Sequence, residues 1–166
     1  MLFGRPKNGY DIFLGGTTNG SKWRDKFLQL MKEADPKIKS FNPVVDHWTQ
    51  ECIDLENFVK LHAKYHVYVI TPLLTGYYSI AEMVDSAHDQ SKKTLFFIQE
   101  EDIDRNGDTI GWEPGPRNSL TVISNLLVQH GAINTVAMED LVYKIVKDYN
   151  KTPIPRERLV YGDIDH

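Results

Sequence analysis

A carboxylate near the start of a helix is the residue of this sequence best placed to do chemistry. Glu82 stands three residues after Ser79, and both follow an apolar run of strand length, residues 67–70. Pro72 ends that strand because it has no amide hydrogen for a sheet, and helical spacing begins at Ile80. Ser79-x-x-Glu82 fits a capping box, in which Glu82 only closes its own helix. A carboxylate at this point can equally face a ligand at the carboxyl edge of a sheet.

A glycine-rich loop, residues 15–20, is a second candidate binding element. It directly follows residues 10–14, which have the composition of a short buried strand. The glycines allow a sharp turn or a close approach of the backbone to a ligand. No Gly-Lys-Ser/Thr follows, and the spacing differs from G-x-G-x-x-G. An ordinary NTPase or a dinucleotide oxidoreductase is therefore disfavoured, and a crevice for a small ligand remains.

The composition limits the classes of partner. With 166 residues, 41% of them hydrophobic and 25% charged, the chain is expected to form one globular domain. A net charge of −4 disfavours nucleic acid and anionic membranes as partners. The single cysteine, Cys52, allows no disulfide within the chain and favours a reducing compartment. Without an 18-residue apolar run or a signal-peptide pattern, the sequence predicts a cytoplasmic protein.

Strands and helices alternate along the chain. The pattern predicts strands at residues 10–14, 37–41, 67–70, 94–98 and 132–136, and helices at residues 21–34, 50–64, 79–88, 120–130 and 138–149. Such alternation is typical of an α/β fold, a three-layer doubly wound five-stranded parallel sheet in the flavodoxin-like order 2-1-3-4-5. In that order the glycine loop and Glu82 face one crevice. Residues 1–150 form the predicted domain, and residues 151–166 a tail or an arm onto a neighbouring subunit.

An acidic motif lies in the polar segment 99–118, which we expect to be a long loop. Asp102-x-Asp104-x-Asn106-Gly107, with Glu113 after five residues, matches the calcium loop of EF-hands. A strand precedes the motif, however, and Pro114-Gly115-Pro116 follows where a helix should leave it. An acidic, solvated loop is therefore the better interpretation, and no metal site is predicted.

Several short motifs together resemble a known family. They are D-I-F-L-G-G-T with a Trp-Arg helix start, F-N-P after the second strand, and V-Y-V-I-T-P with a loop into S-x-x-E. This combination, spread over residues 10–98, is similar to the nucleoside 2-deoxyribosyltransferase-like superfamily. That superfamily includes deoxyribosyltransferases and deoxynucleoside-monophosphate N-glycosidases.

The resemblance implies a role for two carboxylates. Glu82 matches the family's nucleophile, at the start of the helix after the third strand. Glu56, rather than Asp54, matches a carboxylate that orients the catalytic or sugar hydroxyl groups. Attack by a carboxylate on the sugar would give a covalent glycosyl-enzyme ester, which a second base or water then resolves.

The resemblance also implies contacts with the substrate. The backbone of the glycine loop would surround the sugar or its 5′ end, and Trp48 would meet the base. Phe13 stands where the family often carries an aromatic hydroxyl. The implied substrate contacts are Phe13, Gly15, Gly16, Thr17, Asn19, Asp46, Trp48, Gly76 and Ser79. Neither a metal nor an organic cofactor is required, and family members form homo-oligomers.

Two other functions remain open from the sequence. The same crevice would serve a non-catalytic module that binds or senses a nucleotide, with Glu82 as a cap only. The long polar segment would also accommodate a larger N-glycoside, such as a nicotinamide dinucleotide.

Overall fold

The chain folds around one parallel sheet with the predicted flavodoxin-like topology. A computed structural model describes residues 9–151 of the chain. Five parallel strands follow the order β2-β1-β3-β4-β7, and they are β1 (Ile12–Gly16), β2 (Ser40–Phe41), β3 (Tyr65–Ile70), β4 (Lys93–Ile98) and β7 (Ile133–Thr135). The predicted fold class and strand order are confirmed, with β7 in the fifth position.

Helices cover both faces of the sheet. The helices are α1 (Trp23–Ala34), α2 (Gln50–His62), α3 (Tyr78–His88), α4 (Pro114–Gln129) and α5 (Met138–Lys151). Helices α1 and α5 pack on one face, where their apolar residues join one core cluster. Helices α2, α3 and α4 cover the other face and contribute to a second cluster. The result is a three-layer α/β/α sandwich.

Alternation along the central strands divides the core between these two clusters. In β1, Ile12 and Leu14 face α1 and α5, whereas Phe13 faces α2 and α3. All six residues of β3 are buried, as expected for a central parallel strand that is covered on both faces. Tyr68 of β3 therefore lies on the same face as α3, beneath the residues that form the candidate site.

The polar segment 99–118 differs from its prediction as a loop. It contains a hairpin, β5 (Glu101–Ile103) and β6 (Thr109–Gly111), and α4 then begins at Pro114, not near residue 120. Proline is favoured in the first turn of a helix, where its missing amide hydrogen is not needed. Asp104 Oδ1 accepts the backbone amides of Asn106 and Asp108 at 2.8 and 3.0 Å, so the calcium-like motif forms the turn of this hairpin.

Smaller differences concern the ends of elements. Strand β2 has two residues instead of the five predicted, and α1 begins two residues later than expected. No helix within residues 9–151 is long and apolar enough to cross a membrane. The predicted C-terminal tail lies, beyond its first residue, outside the described residues.

Candidate functional site

Two carboxylates from different helices meet at one lysine. Glu56 and Lys60 lie one turn apart on α2, and Lys60 Nζ is 2.9 Å from Glu56 Oε1. The same ammonium forms an ion pair with Glu82 Oε1 on α3. The side chains of Glu56 and Glu82 are only 15% and 13% exposed. The structure thus brings together the two carboxylates to which the family resemblance assigned catalytic roles. The lysine that joins them was not among the predicted site residues.

The prediction of a capping box at the start of α3 is wrong. The helix begins at Tyr78, its N-cap is Tyr77, and no side chain caps it. Ser79 lies inside the first turn, where its hydroxyl donates a 3.1 Å hydrogen bond to the carbonyl of Gly16. Glu82 is therefore not bound to the end of its own helix, and its carboxylate pairs with α2 instead.

Burial and charge act against each other at these groups. Burial raises the pKa of the Glu82 carboxyl above its ordinary value, although contact with Lys60 opposes this shift. Burial also opposes the charge of Lys60, but its contacts with Glu56 and Glu82 raise the pKa of the ammonium above its usual value. A carboxyl group whose pKa is shifted by burial and by a specific charged partner is typical of functional sites.

A buried arginine fixes the glycine loop beside this cluster. The Arg24 guanidinium donates to the carbonyls of Thr17, Leu14 and Gly16, at 2.6, 3.4 and 3.3 Å. Burial lowers the pKa of Arg24 to about 10, an effect that the charges of Glu82 and Glu56 oppose. Arg24 therefore remains charged at neutral pH. Together with Lys60 it balances the two carboxylates.

The glycine loop itself is rigid and tightly packed. Gly16 has a φ of +109°, and a Cβ there would lie 2.2 Å from the Val69 carbonyl oxygen. The Thr17 hydroxyl accepts the amide of Thr71 at 2.9 Å. Asn19 donates to the Leu73 carbonyl at 2.9 Å. The loop is thereby connected to the segment that leads into α3.

A cavity of about 280 Å³ lies between α2 and α3. Lys60 and Glu82 line it, with Tyr68 of the central strand. The glycine loop is not among its lining residues, so Glu82 faces a groove between two helices and not only the carboxyl edge of the sheet. A small ligand that reaches Glu82 through this groove would pass between α2 and α3.

A buried chain of hydrogen bonds supports the groove from below. His66 Nε2 lies 3.0 Å from the Lys60 carbonyl, which can only accept, so this nitrogen carries the proton. His66 Nδ1 then accepts from the Ser86 hydroxyl at 2.9 Å, and Ser86 accepts from Thr94 at 2.7 Å. Burial lowers the pKa of His66 to about 4, so the ring is neutral near pH 7.

The other residues predicted to contact substrate fall into two groups. Phe13 is only 1% exposed, and Gly15 leaves room for the Tyr68 ring, since a Cβ would lie 2.3 Å from Tyr68 Cε1. These two positions form the floor beneath the carboxylates. Trp48 is 59% exposed, and Asp46 and Gly76 are also exposed. These three residues are therefore open to solvent and available for contact with a ligand.

A larger cavity, of about 430 Å³, lies elsewhere. It is formed by the first turns of α1 and α5 and by residues after β4, including Lys22, Gln99 and Met138. None of the residues that the sequence predicts for the site lines it. Its volume therefore gives no support to the predicted chemistry, which belongs to the smaller groove.

Sequence reasoning missed Lys60 and Arg24 as members of the site. For Lys60 a signal was present, because Glu56 and Lys60 have the i, i+4 spacing of a helical ion pair. For Arg24 the signal was weaker, since a polar residue at the start of an amphipathic helix is usually exposed.

Comparisons with known proteins add no relative to these observations. No protein-family model matches the chain, and no curated protein sequence matches it.

Proposed function

We propose that this protein is a nucleoside 2-deoxyribosyltransferase-like enzyme. It would cleave the N-glycosidic bond of a nucleoside or nucleotide, with ribose or deoxyribose as the sugar, through Glu82 as nucleophile. Transfer to another base or to water would complete the reaction. No metal or organic cofactor is part of the proposal.

One observation supports this proposal above the others. Glu56 and Glu82, which are far apart in sequence, share one ammonium beside a groove of small-molecule size. Breaking an N-glycosidic bond passes through an oxocarbenium-like state, which a nearby carboxylate stabilises. A second carboxylate suits the same reaction because sugar hydroxyls need an acceptor.

In the first step a Glu82 oxygen attacks C1′ of the sugar. The C1′–O bond forms, the C1′–N bond breaks, and its electron pair leaves with the base, which takes a proton from solvent. The product is an ester between Glu82 and the sugar. Glu56 would accept a hydrogen bond from a sugar hydroxyl and hold C1′ in line.

In the second step the ester is resolved at the same carbon. A ring nitrogen of a second base, or a water molecule, attacks C1′ and releases the Glu82 carboxylate. The attacking group loses its proton to solvent or to the nearby carboxylate. Two displacements at C1′ retain its configuration.

The exposed residues suit recognition of the base. Trp48 precedes α2, and Tyr77 and Tyr78 lie at the start of α3. All three rings are largely exposed. Aromatic faces of this kind stack on nucleobases, a contact worth about 1–3 kcal/mol per base.

A non-catalytic binding module is the second candidate. The ion pair between Lys60 and Glu82 favours it, because a carboxylate already paired is a weaker nucleophile. In that case Glu82→Gln would leave the affinity for a nucleotide nearly unchanged and no base would ever be released.

The experiment that tests the proposal follows base release by chromatography. Deoxynucleosides, ribonucleosides, their 5′-monophosphates and a nicotinamide dinucleotide are incubated with the protein, with and without a free acceptor base. We expect release that vanishes in Glu82→Ala, and a new nucleoside when an acceptor is present if the enzyme is a transferase. Nucleotide binding without release from any substrate would contradict the proposal.

The proposal extends to partners and location. We propose a homo-oligomer that acts on small molecules in the cytoplasm, without nucleic-acid or membrane partners. The net charge of −4 supports the exclusion of nucleic acid and anionic membranes, and the single cysteine supports a reducing compartment.

A further inference from the structure

The ammonium of Lys60 is held from several sides, which is unusual for a lysine. In addition to its two ion pairs, it lies 5.2 Å from the centre of the Phe13 ring and 5.6 Å from the centre of the Tyr78 ring. The backbone carbonyl of the same residue accepts from His66. Ordering a lysine costs side-chain entropy, which the surrounding contacts must offset.

The contacts of Lys60 differ from those of an ordinary helical ion pair. A pair with Glu56 alone would need only two residues on α2 and would lie in solvent. Here the ammonium crosses to α3 and reaches one oxygen of Glu82, Oε1. That oxygen has no hydrogen-bond donor of regular geometry among the described residues. Lys60 is thus the ionic partner of this oxygen.

We propose that Lys60 is a positioning residue, which holds Glu82 by Oε1 so that Oε2 points at the substrate and attacks. This inference rests on the proposed role of Glu82 as nucleophile. Lys60 makes no bond to the sugar in this account and acts only through the two carboxylates.

The expected pH dependence follows from the sign of the charges. Burial favours the protonated form of Glu82, and the Lys60 cation opposes it. Removal of that cation keeps Glu82 protonated to higher pH, so the acid limb of kcat/KM moves to higher pH. The other charged or titratable groups of the described residues that face this pair are Glu56, Arg24, Tyr68, Tyr78, His66, Asp85, Asp89 and Lys92.

The test compares Lys60→Met and Lys60→Arg with a matched control. Lys144→Met removes an i, i+4 partner of Asp140 on α5, away from the site. We expect Lys60→Met to lower kcat/KM about tenfold or more at pH 6, with recovery as the pH rises. Lys60→Arg keeps the positive charge and should restore part of the loss. Lys144→Met should stay within about twofold of the wild type.

A second variant protects the test against misfolding. Lys60→Met leaves Glu56 and Glu82 facing each other, and their repulsion could unfold the protein. The double variant Glu56→Gln, Lys60→Met removes that repulsion. Because the Glu56 charge itself raises the pKa of Glu82, the double variant should show a smaller displacement of the Glu82 titration in the same direction. The titration is followed without substrate by NMR of the side-chain carboxyl carbons, with Glu82→Gln for assignment.

The outcomes separate the two proposals. A Glu82 titration that moves to higher pH without Lys60 supports the positioning role. An unchanged titration, or an activity profile that is lowered equally at every pH, overturns it. Absence of base release from the wild-type protein would overturn the proposed function, whatever the titration shows.

Discussion

Two charge clusters in this molecule have opposite compositions. At the candidate site one lysine, Lys60, lies between two glutamates. On the opposite face of the sheet one aspartate, Asp148 of α5, pairs with Lys64 at 3.4 Å and with Lys93. The Tyr65 hydroxyl also donates to Asp148, at 2.6 Å. In one cluster two carboxylates share a lysine, and in the other two lysines share a carboxylate.

The carboxyl groups in these clusters respond in opposite directions. Burial raises the pKa of Glu82. Burial also opposes the ionisation of Asp148, but hydrogen bonds from Lys93 and Tyr65 hold its pKa below the ordinary value. The ionised form of Asp148 is therefore stabilised, and it joins α5 to the starts of β3 and β4. The ionised form of Glu82 is disfavoured by burial, which is expected of a group retained for chemistry and not for stability.

The largest expected difference between the clusters is in activity. Glu82→Gln removes the proposed nucleophile, so base release should fall by about 10³-fold or more. Asp148 lies on α5, on the opposite face of the sheet, and the rate of Asp148→Asn should stay within about twofold of the wild type. The measurement is base release at saturating substrate. Equal losses in the two variants would show that the clusters do not differ in the way described.

His66 tests whether the site cluster depends on its buried support. Its pKa is depressed to about 4, so its contribution to stability is present above its ordinary pKa of 6.5 and is lost as the pH falls through about 4. A shift of that size corresponds to about 3 kcal/mol. Urea unfolding between pH 7 and pH 4 should show this loss in the wild type. In His66→Asn this loss of unfolding free energy between pH 7 and pH 4 should be absent.

Gly16 tests the packing of the glycine loop beside the site. Gly16→Ala places a Cβ 2.2 Å from the Val69 carbonyl oxygen, at a φ of +109°, and should cost about 2–3 kcal/mol. Gly115→Ala is the matched control because nothing lies near its Cβ in the first turn of α4. That variant should be neutral or slightly stabilising. Thermal unfolding measures both, and similar changes would show that the loop is less tightly packed than described.

The smallest expected effect is a change in the free energy of unfolding, which has opposite signs in the two clusters. Because the pKa of Glu82 is raised in the folded protein, this group stabilises the fold at a pH below its ordinary pKa. That stabilisation is lost as the pH rises through the pKa of the folded state. Glu82→Gln should therefore be more stable than the wild type at pH 7. Asp148 has the opposite sign, since its support for folding is present above its ordinary pKa and is lost in acid. Asp148→Asn should therefore be less stable than the wild type at pH 7, and denaturant unfolding measures both changes.

The sequence predicted the fold well because the fold depends on patterns that are local. Alternation of apolar runs and amphipathic stretches was enough to predict the sheet order, since parallel strands require right-handed crossovers. The turn of the β5–β6 hairpin was not predicted, because acidic turn residues and a calcium loop look alike without their flanking strands. The first turns of α4 were not predicted because they contain two prolines. Proline disrupts the interior of a helix but is favoured at its start.

The site was predicted only in part, since its geometry depends on contacts between distant residues. Glu82 and Glu56 were named from short motifs, but their meeting point at Lys60 is a tertiary contact. Ser79 had the spacing of a cap, yet its hydroxyl bonds to Gly16, at the end of strand β1. No local pattern contains that partner. Arg24 was hidden in the same way, because the carbonyls that it contacts belong to β1 and to the residue that follows it.

The central claim is that Glu82 forms a covalent bond with the sugar. The most direct measurement uses a 2′-deoxy-2′-fluoro nucleoside, whose fluorine slows the resolution of the ester so that it accumulates. Intact-protein mass spectrometry, followed by peptide mapping, would then locate the adduct. One fluorodeoxyribosyl group is expected on the peptide that contains Glu82, and none in Glu82→Gln. Base release without an adduct on Glu82, or an adduct at another residue, would contradict the proposed role of Glu82.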